Sequence, residues 1–335
     1  EDCSAVRHGQ LQVVAPFWLD RPDAEAVEIA VQAKQAGFDT MWVGETGALD
    51  PFALASAIGL RAPGLRLKIG PVAAGVRSPV ALALGVSTVA TLTGASVDLA
   101  LGASSPEMVT GWHDRPWEHA APRMSETVDA VRQILAGDRA DFTGQHVRTR
   151  GFRLRSPQPH TAITVAAFGP SMTRVAVGKA DEVVLNLVSP EQVARLRSLI
   201  DDTAQDDSRE RPKLAVWVAA ALDPGPATLR QLASQISVYL RPPGYGEMFT
   251  ALGFGDLVER ARQGARRAEL AEAIPRDVIE AVCAIGTHSE VSSRLAAYHA
   301  AGADHVAIVP ATAEDPAGRQ LLAALGGGAV LDNAA

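Results

Sequence analysis

Cysteine is scarce: Cys3 and Cys283 are the only two in 335 residues, and neither sits in a Cys-x-x-Cys or histidine-rich cluster. A disulfide framework and a structural zinc are excluded on that count, and a reducing compartment is expected. Basic runs are missing as well. The 31 basic residues, only four of them lysine, are dispersed among 38 acidic ones, for a formal charge of −7. That balance argues against a nucleic-acid partner or an anionic membrane surface. Long apolar runs are also lacking. Val80–Val97 carries no charge, but Ser87, Thr88, Thr91, Thr93 and Ser96 divide it, so it reads as a buried helix running into a buried strand. Residues 1–10 are polar and have no apolar signal core, so a cytoplasmic protein is expected. No Gly-x-Ser-x-Gly, His-Glu-x-x-His or P-loop pattern occurs, which removes esterase, zinc-protease and NTPase chemistry.

What is present is alternation. Eight short apolar runs read as strands: Leu11–Ala15, Met41–Val43, Leu67–Val72, Val97–Leu101, Ile163–Ala167, Val183–Leu185, Leu214–Ala220 and Val306–Val309. Amphipathic segments separate most of them, the first expected from about Asp20 and Pro22. Three helices are expected to end at Gly37, Gly178 and Gly302, each followed within three residues by an aspartate that opens a strand. Eight βα units in a chain of this length predict an α/β TIM barrel, one domain over residues 1–335, with a helical insertion or lid at 223–286 between strands seven and eight. A doubly wound sheet would alternate too, but Pro16-Phe17-Trp18 stands where its glycine fingerprint belongs.

A barrel collects function where its strands end. Those ends are Phe17 and Trp18; Glu45 and Thr46; Val72 and Ala73; Gly102, Ala103, Ser104 and Ser105; and Phe168, Gly169, Pro170, Ser171 and Met172. The last two groups are small-residue turns leading into helices, suited to an anion, with an ordinary cap at Ser105 or Ser171 as the simpler alternative. Glu45 at a buried strand end is a candidate for use in chemistry. Trp112, His113 and Trp117 follow the fourth strand, where aromatic rings can cover a flat ring system, and the eight histidines show no metal spacing. Few acid–base groups among aromatics and anion turns suit a bound redox cofactor and a small-molecule substrate.

These residues carry a family resemblance. Gly37-Phe38-Asp39-Thr40-Met41-Trp42-Val43, Leu67-Lys68-Ile69-Gly70 leading to Arg77-Ser78-Pro79, and Thr93-Gly94-Ala95 into Leu99-Ala100-Leu101-Gly102-Ala103 are similar to the luciferase-like monooxygenase superfamily. Arg123-Met124-Ser125-Glu126, Ile163–Met172 and Ile285-Gly286-Thr287 through Val306 follow in the family's order. The resemblance implies a barrel, a homodimer built on helices that include residues 79–92, and FMN or the deazaflavin coenzyme F420 in the barrel mouth. The overall pattern looks like the F420-dependent branch, hence hydride transfer between the deazaflavin C5 and a small organic substrate. An FMN-dependent monooxygenase and a non-catalytic flavin- or deazaflavin-binding protein are the alternatives. The resemblance further implies a cis or severely distorted peptide at Val72–Ala73 and an anionic cofactor tail on the amides of Gly169, Ser171 and Met172, near Ser104, Ser105 and either Arg77 or Arg174. The sequence departs from F420-dependent relatives at an Asp-His pair, here Glu45-Thr46, and at a glutamate after the fourth strand, here Ser105 with Glu107 two residues on. Glu45 is therefore expected to contact the cofactor, and His113 to carry the proton, with Glu45 and Glu107 as the other candidate acids. Phe17, Trp18, Trp112 and Trp117 are expected around the substrate.

Overall fold

The computed structural model describes residues 11–208 and 210–326; Cys3 and the rest of residues 1–10 lie outside them. Eight strands occupy the expected places: β1 (Leu11–Val14), β2 (Thr40–Val43), β3 (Arg66–Ala73), β4 (Val97–Gly102), β5 (Ile163–Ala166), β6 (Glu182–Asn186), β7 (Lys213–Leu222) and β8 (His305–Pro310). They follow one another in the order β7-β8-β1-β2-β3-β4-β5-β6, and β6 returns to β7, closing a parallel eight-stranded barrel with flanking helices. Parallel strands covered by helices are buried on both faces, which is why they read as continuous apolar runs rather than alternating ones. A short strand, Ala284–Gly286, adds to the end of β7. Between β7 and β8 the chain is helical, in Pro226–Tyr239, Tyr245–Ala251, Gly255–Arg262, Arg267–Ala273 and Arg276–Val282. Among the described residues no helix is long and apolar enough to cross a membrane.

The chain forms two compact units. The first holds the residues up to Met41, Leu185–Arg195 and those from Ala215 onward. In it β8 pairs with β1 (Val306 opposite Leu11) and with β7 (Ile308 opposite Val218). The helix Glu25–Gln35 begins later than expected, because the Asp20 carboxylate is bonded to the Gln231 side-chain amide at 3.0 Å and caps nothing. Glu25 is buried, which works against its charge. Hydrogen bonds from Arg21, the Ala317 N–H and the Thr312 hydroxyl nevertheless hold its carboxyl below the usual range.

The second unit holds Trp42–Val184 and Leu196–Leu214. Asp50 caps the helix Pro51–Arg61 through the N–H groups of Phe52 and Ala53, and Ser78 caps Pro79–Thr93, which ends at Gly94 in the left-handed conformation. Gly37 and Gly302 take positive φ as expected. Gly178 does not; it lies inside the helix Pro170–Lys179, which ends with the extended Ala180 donating its N–H to the Ala176 carbonyl. One ion pair sits in the interior of this unit: Lys68 Nζ lies 2.6 Å from Glu182, which also accepts the Thr164 hydroxyl at 3.0 Å, and the ammonium stands 4.6 Å from the centre of the Trp42 ring. Removing one member leaves the other charge buried and unpaired, so Lys68→Met is expected to lose ~3–5 kcal/mol in urea denaturation, much of it regained in Lys68→Met/Glu182→Leu.

Candidate active site

The ends of β2, β3, β4 and β5 belong to the second unit and bring most of the expected residues together. Glu45 lies two residues beyond β2. One of its carboxylate oxygens accepts the Ala73 N–H at 2.7 Å, and Arg77 donates to the other. Arg77 also reaches Asp50 at 3.3 Å and lies over the Phe52 ring. Glu45 is thus a clamp between the end of β2 and the end of β3, and Arg77 is held by two carboxylates rather than turned outward to an anion.

The end of β3 is irregular. Its register against β4 shifts between Ile69 and Val72, and Gly70 has φ +119°, where a Cβ would collide with the Ala100 carbonyl. The cis peptide stands here, at Gly70–Pro71, and the expected one at Val72–Ala73 is trans. The correction has a simple cause: proline makes the cis form accessible, whereas a cis bond between two ordinary residues costs ~3 kcal/mol or more. Pro71, Gly102 and Ala166 converge at the ends of β3, β4 and β5. A Cβ on Gly102 would come 3.2 Å from that of Pro71 and 3.8 Å from that of Ala166. A larger side chain would have to push Pro71 aside, so the strand ends present backbone and small groups, with Val72 and Ala73 buried beside them.

After β4, Ser104 takes φ +66° and Ser105 Oγ accepts the Met108 N–H at 3.3 Å. Glu107–Trp112 forms a π-helical turn, a rare form frequent at functional sites, anchored by buried Val109. Glu107 and His113 are exposed, Ala103 and Trp117 half-buried. Trp112 is exposed with its ring against Gly47, where a Cβ would stand 3.0 Å from the ring. After β5, Gly169 is the extended cap of Pro170–Lys179, so Ser171 caps no helix, whereas Ser105 makes a cap-like bond at the start of the turn Glu107–Trp112. The first N–H groups of that helix, Ser171 and Met172 among them, have no intrahelical acceptor. The Thr173 hydroxyl is buried without a hydrogen bond, Phe168 is half-buried and Arg174 exposed.

In the first unit Phe17 is half-buried, whereas Trp18 is buried with its indole N–H on the Pro310 carbonyl at 2.9 Å. Two residues act in ways the sequence reading missed. Arg77 bridges Glu45 and Asp50, and Glu126 accepts the N–H groups of Gln145, His146 and Val147, fastening the hairpin of Asp141–Thr143 and Arg148–Arg150 to its helix. Acids spaced far from their partners in sequence leave no local pattern that would have revealed either. Among the described residues no cluster of three or more His, Cys, Asp or Glu is placed to hold a metal.

The luciferase-like monooxygenase profile matches residues 7–305. The chain belongs to the luciferase-like monooxygenase family. Among the family's proteins it is 23% identical over 327 residues (89% of this chain, 94% of the relative) to a Mycobacterium tuberculosis protein provisionally named a coenzyme F420-dependent oxidoreductase. It is 31% identical to the F420-dependent glucose-6-phosphate dehydrogenase of Nocardia farcinica over 173 residues, 47% of this chain and 51% of that one. The coenzyme F420-dependent tetrahydromethanopterin reductase of Methanopyrus kandleri has the same fold, with a TM-score of 0.79 at 15% identity over 95% of this chain and 98% of that one. Family members of this kind are oxidoreductases, and this chain is an enzyme. In it the Glu45 clamp is a charged feature that ties two strand ends of the site together. Arg77→Met is expected to cost about 2–3 kcal/mol in denaturation, because it strips a charged donor from a mostly buried carboxylate, and Glu45→Gln/Arg77→Met to recover part of that loss.

Proposed function

We propose that the protein is a coenzyme F420-dependent oxidoreductase that acts on a small organic substrate. The observation that carries this reading is the pairing of two features in one unit: the low surface of Pro71, Gly102 and Ala166, and the helix Pro170–Lys179 with open N–H groups and a buried, unbonded Thr173 hydroxyl. A flat ring fits against the first. An anionic tail fits the second, through N–H donors and the positive end of the helix dipole. The names of the F420-dependent relatives support the same cofactor.

Coenzyme F420, when bound, supplies a two-electron hydride carrier at its C5, and the protein's share is to bind, orient and move one proton. Val72, Ala73, Gly102 and Ala103 back the ring, with Glu45 holding the Ala73 amide and so the bulge in place. The amides of Gly169, Ser171 and Met172, with the Ser104–Ser105 turn, receive the tail, and Arg174 adds local positive charge. His113, on the segment that carries Trp112, is the proton carrier, with Glu107 on the same segment as the other candidate acid. Trp112 and Trp117 cover the substrate.

Separate titrations with purified F420 and FMN test the cofactor, and tighter binding of F420 is expected. His113→Ala is expected to lower kcat ~10²-fold or more with coenzyme affinity unchanged, and full turnover would assign the proton to solvent or substrate. A homodimer is part of the proposal. Leu60 on the helix Pro51–Arg61, and Leu84 and Leu92 on Pro79–Thr93, are exposed large apolar side chains on neighbouring helices of one unit, as a two-fold interface requires. Sedimentation at micromolar concentration is expected to show a dimer that Leu84→Glu/Leu92→Glu dissociates.

A further inference from the structure

Trp112 is 59% exposed, although burying so large an apolar ring is ordinarily favourable, and the backbone around it keeps it so. It ends the π-helical turn Glu107–Trp112. Buried Val109 packs that turn over Gly75, in the loop after β3, where a Cβ would come 3.4 Å from the valine. The turn is closed at its far end. There the Arg115 N–H donates to the Val109 carbonyl at 3.0 Å, and the Thr110 hydroxyl donates to the Arg115 carbonyl at 3.0 Å. The indole ring itself rests on Gly47, in the loop after β2. All of these residues belong to the second unit.

Gly47 is what allows so close an approach. Its φ of +79° is a conformation that side chains rarely adopt, and a Cβ there would stand 3.0 Å and 3.2 Å from two atoms of the six-membered ring, Cζ3 and Cη2. Trp112 thus bridges the residues after β2 and those after β4, the two strands on either side of β3. Its contact with Gly47 is made by these outer atoms, which leaves most of the indole surface open. Leu49, 37% exposed in the same loop, adds to the apolar surface. The charges of the Trp112 segment lean one way: Glu107, Asp114 and Glu118 are exposed acids, against Arg115.

We propose that Trp112, set in place by Gly47, is a specificity-determining residue that selects a flat, conjugated substrate without a negative charge. An open indole surface gains most from a flat π-system, which lies against it in an offset stack, whereas a saturated skeleton of the same size brings fewer atoms into contact. An anionic substrate meets an excess of carboxylates on the segment that carries the ring. The ring is already held in the free protein, so binding does not incur the ordering cost of a loose side chain. The inference rests on the reading of the protein as an oxidoreductase whose small organic substrate Trp112 covers, and it names the class of that substrate.

The test uses three probes on one skeleton: 2-naphthol is flat and uncharged, decahydro-2-naphthol is saturated, and 2-naphthoate is flat and anionic. Each is titrated, with and without coenzyme F420, into the wild type, Trp112→Leu, Trp112→Phe and Gly47→Ala. The tryptophans carry a ¹⁹F label, and the Trp112 resonance is assigned by its loss in Trp112→Phe. The wild type is expected to bind 2-naphthol ~10-fold or more tightly than either other probe, with the Trp112 resonance shifting as it does. Trp112→Phe is expected to keep most of that preference, Trp112→Leu to lose it at unchanged Tm, and Gly47→Ala, whose Cβ displaces the ring, to weaken it. No 2-naphthol binding by the wild type, equal binding of the three probes, an unmoved Trp112 resonance, or a preference retained in Trp112→Leu overturns the proposal. A preference that F420 abolishes also overturns it, since the probe then lay on the cofactor's surface. Failure of the wild type to bind F420 counts against the proposed function, and the comparison among the three probes still decides the role of Trp112.

Discussion

Every barrel strand is parallel and lies under helices, and this burial on both faces constrains all the rest. A strand so placed can carry few polar side chains, because each must bring its own partner into the interior. The Lys68–Glu182 pair, with Thr164 and the Trp42 ring around it, is an interior exception and shows the condition: each charge is matched and hydrogen-bonded. Polar chemistry is otherwise pushed to strand ends, where backbone groups that the ladder no longer uses are available to side chains, helices and ligands.

The residues at those ends divide into holders and open groups. Glu45, Arg77 and Asp50 are holders, a chain of charges that fixes the end of β3 against the residues following β2. Glu126 does the same for a hairpin, and Trp18 for the carbonyl of Pro310. The open groups are fewer: the N-terminus of Pro170–Lys179, the exposed ring of Trp112 and the imidazole of His113. Two helix N-termini that look alike in sequence, each a glycine followed by proline, differ in this respect. Gly169-Pro170 has space around it and an unbonded hydroxyl behind it, whereas Gly225-Pro226 is closed by Glu314.

Much of the architecture was legible in the sequence. The eight apolar runs are the eight strands, the helical character of residues 223–286 is as expected, and Gly37 and Gly302 take the left-handed conformation at helix ends. Local signals misled where a tertiary partner intervened. Asp20 looks like a helix cap and is bound by Gln231 instead, and Gly178 looks like a helix end but stays within one. Trp18 reads as a lining residue of the mouth and is buried. The cis peptide belongs to Pro71, where proline makes that form accessible, and the residue before it is a glycine whose Cβ would collide with the Ala100 carbonyl.

The sequence by itself determined the alternation of strand and helix, the barrel and the family, since these follow from hydrophobic period, turn chemistry and motifs that lie within a few residues of one another. The tertiary structure alone decided which polar groups are engaged and which are open. Glu45 meets Ala73 and Arg77 across about thirty positions of chain, and Glu314 meets Thr228 across 86. A carboxylate's role depends on the donors that surround it in space, and no local pattern in the chain records them.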